Sequence, residues 1–159
     1  MLVKPSHYDD DGYVIQWFRS PIPSNSLAVL HGMALDCAKR KILGDHFDIE
    51  IHSFDETLGR VRPKRIVSLI KAADAGMVMM VGVQSNQFPR ALDLSVPLRE
   101  RGIMVAVGGF HVSGTLAMLK DRDPDVQRAE EMGISLFAGE AEGRLERVIR
   151  DAADGQLKP

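Results

Sequence analysis

A three-layer α/β sandwich around a parallel, doubly wound, five-stranded sheet is the fold that this sequence predicts, and three observations carry it. Residues 77–83 and 103–107 are almost wholly apolar, as strands covered on both faces are. Strand-like and helix-like segments alternate five times at short spacing, the pattern of repeated β-α units. Three apolar runs stop at small or polar residues just before a helical stretch. These are Val-Gly-Val-Gln-Ser-Asn-Gln at 81–87, Val-Gly-Gly-Phe-His-Val-Ser-Gly at 107–114 and Leu-Phe-Ala-Gly-Glu-Ala-Glu-Gly at 136–143. On one edge of a parallel sheet such ends would form a wide rim rich in exposed backbone.

Each element has its own warrant. Residues 13–18 (YVIQWF) read as the first strand, being aromatic and β-branched. The loop 19–26 carries Pro21 and Pro23, and Ser24, Asn25 or Ser26 can cap the helix 27–41, which Gly44 closes. Residues 47–53 (FDIEIHS) alternate apolar and polar, as a half-buried strand near a sheet edge does. Pro63 suits the first position of a helix running to Ala73. After the strand 77–83 comes a helix over 88–101, with Pro89 in its first turn and Pro97 placed to kink or divide it.

The strand 103–107 leads to a helix over 115–119, a break at Asp121-Arg122-Asp123-Pro124-Asp125 and a second helix over 126–132. Strand 134–137 and helix 145–152 complete the series. Right-handed crossovers and five strands, the most apolar central, favour a flavodoxin-like (Rossmann-like) order 2-1-3-4-5. A ligand then belongs at the carboxyl ends, near the switch between strands 1 and 3. Residues 1–12 read as an N-terminal extension, 13–155 as the α/β domain and 156–159 as the start of a linker or tail.

Composition narrows the function classes. A chain of 159 residues suits one domain, and 45% hydrophobic with 26% charged residues is ordinary for a soluble globular protein. The net charge of -2 makes no case for nucleic acid or an acidic membrane surface. The densest basic cluster, Arg60, Arg62, Lys64 and Arg65, reads as a solvated helix face. Cys37 is the only cysteine, which excludes an internal disulfide or thiolate cluster, and its helical setting suits a buried structural thiol. No apolar run reaches the length of a membrane span and the N-terminus lacks a signal-peptide core, which points to the cytoplasm.

Three common uses of such a fold lack their residues. The loop 19–26 has no glycine for a dinucleotide fingerprint, no Gly-Lys-Ser/Thr phosphate loop is present, and Gln84-Ser85-Asn86 stands where a phospho-acceptor Asp would. Gly108-Gly109 lets a ligand or a neighbouring element approach the backbone closely. Ser85 and Asn86 either bond a polar ligand edge or cap the next helix. Gly139-Glu140-Ala141-Glu142 reads as the start of the last helix, where carboxylates meet the helix dipole favourably.

Together these segments resemble the cobalamin-binding domain of cobalamin-dependent radical S-adenosylmethionine proteins. Val-Gly-Gly-Phe-His-Val-Ser-Gly is similar to that family's Gly-Gly-x-His-x-Ser signature, and Leu-Phe-Ala-Gly-Glu-Ala-Glu-Gly to its Gly-Glu-x-Glu element. Val-Gly-Val-Gln-Ser-Asn-Gln occupies the place of its third-strand motif. The likeness spans about residues 13–155 through strand order, with motif support from 81 to 143. It implies cobalamin as cofactor, with Ser24, Asn25, Ser85, Asn86, Gly108, Gly109, Phe110, His111, Gly139 and Glu140 as candidate contacts and no catalytic or metal-ligating residue.

The chain departs from the family in two ways. It lacks the Cys-x-x-x-Cys-x-x-Cys motif, so it holds no iron–sulfur cluster and performs no radical chemistry alone. It also lacks the Asp-x-His-x-x-Gly element after the first strand, so a corrinoid would bind without a histidine from that loop. His7, His31, His46 and His52 carry no signal. His111 follows the glycine pair, where it either touches ligand or shapes its own loop. The expected role is a corrinoid-binding module that presents cobalt to a radical S-adenosylmethionine partner domain, usually for methyl transfer. The alternatives are a cobalamin-free interaction or oligomerisation scaffold and, ranked last, a small enzyme using Glu140, Glu142 and His111 as acid–base groups. Phe88 and Phe110 flank the expected rim, where each either stacks on a ligand or fills its space.

Overall fold

A computed structural model of the chain describes residues 1–17, 23–118 and 123–158. Phe18 at the end of the expected first strand, residues 19–22 of the loop, Leu119, the Asp121-Arg122 part of the expected break and Pro159 lie outside them.

Five parallel strands form one sheet: β1 (Leu2–Lys4), β2 (Ser53–Asp55), β3 (Met77–Met80), β4 (Met104–Gly108) and β5 (Ser135–Phe137). Their order is β2-β1-β3-β4-β5, the flavodoxin-like winding expected from the β-α alternation. Six α-helices are present among the described residues: α1 (Asn25–Lys39), α2 (Pro63–Lys71), α3 (Phe88–Arg99), α4 (Phe110–Met118), α5 (Pro124–Glu131) and α6 (Leu145–Ala153).

The first strand is not at 13–18. Leu2 and Val3 are 1% and 0% exposed, and Val3 pairs with Phe54 on one side and Met80 on the other. The residues expected to form an extension thus begin a strand inside the sheet. Tyr13 and Trp17 are instead 73% and 58% exposed, on a surface excursion where Tyr8 and Val14 form an isolated antiparallel bridge. Asp9 holds that excursion, its Oδ1 accepting from Tyr13 N at 2.8 Å and Asp11 N at 3.1 Å. Aromatic and β-branched composition suits any pleated, half-buried surface, so it did not discriminate between the two segments.

The second strand is likewise shorter and later than 47–53. A three-residue β1 can pair over only three residues, and Leu2 faces Ser53. Phe47 is 57% exposed.

The helices keep their order with shifted ends. Ser24 caps α1, its Oγ accepting from Leu27 N at 3.2 Å. α3 runs unbroken through Pro97, which removes the bond an N–H there would donate to the Asp93 carbonyl but falls in the last turn, where only two helical residues follow. α4 begins at Phe110, five residues earlier than expected, so the segment after the glycine pair is helix rather than loop. Cys37 is 3% exposed, and burial pushes its thiol pKa up, as a structural cysteine requires.

The two faces of the sheet are filled unequally. Ile66 and Val67 of α2, Phe88, Leu92 and Leu98 of α3, and Val126 and Ala129 of α5 pack with Val3, Val78, Val105 and Val107 into the main core. On the other face, α1 contacts α6, and only Met77, Ala106 and Ala152 form a small buried cluster.

Polar groups close the exit of β1. Glu56 is 0% exposed and accepts from Arg90 at 2.7 and 3.0 Å and from Ser6 N at 3.2 Å. Arg90 also reaches Tyr8, whose hydroxyl donates to Asp93 at 2.5 Å. The hydrogen bond to Glu56 is the largest influence holding the Arg90 pKa above its ordinary value.

Arg90→Gln leaves the Glu56 carboxylate buried without its counter-charge and should cost about 3–5 kcal/mol in urea denaturation, whereas Glu56→Gln/Arg90→Gln, which removes the buried charge and keeps an acceptor for the Ser6 amide, should cost clearly less. Equal losses in the two variants would mean that charge compensation is not what matters there.

A second prediction concerns the amino terminus. The Met1 ammonium donates to Met77 O at 2.8 Å, and burial lowers its pKa from 8.0 to about 6. Between those values the unfolded chain binds the extra proton, so stability should rise with pH from 6 to 8, by about 1–3 kcal/mol. Acetylating the amine should flatten that slope; an unchanged slope would assign the pH dependence to another group.

Candidate functional site

A groove of about 330 Å³ opens at the carboxyl edge and runs down between the sheet and the α1–α6 layer. Its floor is Met79, Ala106 and Gly108, its walls are Val29, Leu30 and Met33 of α1 with Leu145 and Val148 of α6, and its mouth holds Gly82, Gly109, Gly139, Glu140 and Glu142. The groove exists because α1 stands off the sheet along its first half. Ala34 and Cys37 are the buried residues of α1, while Val29 is 50% exposed. Small residues on the strands beneath leave the space unfilled.

The expected site residues divide into two groups. Asn25, Gly108, Gly109, Gly139 and Glu140 line the groove. Ser24, Ser85, Asn86, Phe110 and His111 do not. The three rim segments nonetheless meet at one edge. Val83 N donates to Gly108 O at 3.1 Å, His111 Nδ1 lies 3.2 Å from Ser85 Oγ, and Gly139 N donates to Ser113 Oγ at 3.0 Å.

Several of these residues build the rim. His111 stacks on Phe88 with ring centroids 4.3 Å apart, and its Nε2 is buried without a partner among the described residues. Phe88 is 0% exposed, a core residue unable to stack on a ligand at the rim. Ser24 is spent as the α1 cap. Gln87, absent from the expected site, accepts from Gln84 N and donates to Pro5 O, both at 3.0 Å, and so ties the loop after β3 to the exit of β1. Glu140 and Glu142 precede α6 rather than beginning it, and both are exposed at the groove mouth.

Gly109 has a backbone reason to be glycine. Its φ is +147°, and a Cβ there would lie 2.2 Å from Val83 N and 2.6 Å from Val83 O. The ends of β3 and β4 approach too closely for any side chain. Gly82 is similar: φ is +61°, and a Cβ would lie 2.8 Å from Ser26 Cβ, at the entrance beside α1. Gly108 is less constrained, since its Cβ would meet Phe137 at 3.4 Å.

Chemically the site is an apolar slot under a rim of backbone, with carboxylates on the α6 side. Among the described residues no group of three His, Cys, Asp or Glu is placed to hold a metal ion, and no helix is long and apolar enough to cross a membrane. The fold and the edge groove define a doubly wound α/β protein with a ligand-sized opening at its carboxyl edge. Compared with family models, curated proteins and solved structures, the chain matches none of them.

The contrast between the paired glycines is testable. Gly109→Ala should cost at least about 3 kcal/mol, because positive-φ strain of about 1–3 kcal/mol adds to an overlap with backbone. Gly108→Ala should cost about 1 kcal/mol or less. Urea midpoints measure both, and a Gly109→Ala chain as stable as the parent would contradict the close approach of β3 and β4.

Proposed function

We propose that this chain is a cobalamin-binding module. In this reading the corrin face rests on the rim formed by Gly108, Gly109 and Gly139, and the nucleotide tail enters the slot between the sheet and α1–α6. The observation that carries it is the groove itself. It opens at the expected edge, its floor is made of small and flexible residues, and it is apolar where an aromatic base would lie. Its volume is at the lower end of small-molecule sites, which span about 300–1,000 Å³, so it suits one arm of a large ligand whose remainder lies outside.

Asn25 and Ser26, at the start of α1, offer hydrogen bonds at the groove entrance, and the flat glycine rim lets a broad ligand lie against backbone. His111 is engaged with Ser85 and Phe88, which supports binding without cobalt ligation by that side chain. Bound cobalamin would supply a cobalt centre able to carry a methyl group. The chain's own part would be to hold and present it to a radical S-adenosylmethionine partner domain.

A scaffold without cobalamin is the second reading. It is favoured by α4, which exposes Phe110, Leu116 and Met118 at 66%, 52% and 79%. It also draws on Gly109, for which backbone packing is a sufficient reason.

Gel filtration with excess hydroxocobalamin separates the two. The module reading expects pigment to travel with the protein and Ala106→Leu, which fills the floor of the slot, to weaken retention by about tenfold or more while the chain stays folded; tenfold is about 1.4 kcal/mol. A colourless protein peak from the parent chain would transfer the assignment to the scaffold.

A further inference from the structure

The basic cluster at the start of α2 has no part in the groove. Arg60, Arg62 and Arg65 line a second cavity, about 290 Å³, whose other walls are Phe54, Val61 and Ile66. It shares no lining residue with the first.

Most other described arginines are satisfied by an acceptor: Arg99 donates to the Met132 and Ile103 carbonyls and Arg144 to the Ala138 carbonyl. Arg40, Arg90, Arg101, Arg147 and Arg150 each pair with a carboxylate. Among the described residues, Arg60, Arg62 and Arg65 have no acidic partner, and no acidic side chain lines their cavity. The chain has 22 acidic residues to 20 basic ones, so the imbalance is local.

The helix end adds to it. Arg62 sits at the cap of α2 without a side-chain acceptor for the first-turn amides, Pro63 follows, and the first turn has no acidic residue. The positive end of the helix dipole is therefore uncompensated at the point where the guanidiniums gather. Arg65 lies across the apolar wall, its Cζ 5.8 Å from the Phe54 ring centre. Like charges around one void repel, and an anion seated among them removes that repulsion.

We propose that this cavity binds a phosphoryl group. Planar guanidinium forks match phosphate oxygens in pairs, and a helix start favours the same charge. The cavity exceeds the needs of one phosphate ion, so the phosphoryl group of a small organic monoester is the better fit. This assignment does not depend on the corrinoid reading.

The test is a titration of the full chain, followed by backbone amide NMR, with inorganic phosphate, pyrophosphate and glycerol 3-phosphate, against sodium chloride at matched ionic strength. Saturable shifts should concentrate at residues 60–66 and weaken about tenfold or more in Arg62→Gln/Arg65→Gln, but not in Arg147→Gln. Tighter binding of glycerol 3-phosphate than of inorganic phosphate identifies an organic ester as the source; equal binding identifies the ion. Shifts that fail to saturate, that chloride reproduces, or that survive the double substitution overturn the site. Should the double variant not fold, melting of the parent chain decides: a higher Tm in pyrophosphate than in matched chloride supports the site, and equal Tm values refute it.

Discussion

β1 occupies an inner position only because the backbone leaving it is satisfied inside the protein. Pro5 and Ser6 are buried, where an unpaired carbonyl or amide would be costly. Gln87 donates to the Pro5 carbonyl, Glu56 accepts the Ser6 amide, and the Ser6 hydroxyl donates to Ile15 O. Arg90 then neutralises Glu56. These bonds fasten one strand end to the end of β2, the turn after β3 and α3. The positions of Gly82, Val83 and Gly109 follow from that fastening, and with them the mouth of the groove.

The unequal filling of the two faces has functional content. α2, α3 and α5 bury large side chains against the sheet and supply most of the core. The α1–α6 face is closed mainly near Ala34, Cys37 and Ala152, while the part nearest the carboxyl edge stays open. Stability and binding space are thereby assigned to opposite faces. The glycine rim joins them, since close backbone approach at Gly109 keeps β3 and β4 together where the groove begins.

Much of the architecture was legible. Residues 77–80 and 104–108 are apolar enough to be strands covered on both sides, and Gly102, Pro63 and Ser24 mark helix ends by known chemistry. β1 was not legible because three residues carry too little periodicity to compete with YVIQWF, a better strand by composition. Gly108, Gly109 and Gly139 were readable as groove residues from their position at strand ends. Met79 and Ala106 were not, because a strand buried on both faces has no polar alternation to say which side chain points where. Phe88 and His111 show the same limit: a motif at a strand end does not say which side chains turn inward to hold it.

The pairing of β1 also bears on how the chain acquires its structure during synthesis. Its partners are Ser53–Asp55 on one side and Met79–Met80 on the other, so the ladder closes across about fifty and then nearly eighty residues. Long closures are slow because chain entropy is lost before contacts repay it. A nascent chain therefore emerges with Leu2 and Val3 unpaired until β2 has left the ribosome, and with one side of the strand open until β3 follows. Before β2 emerges, α1 is the helix available to shield them.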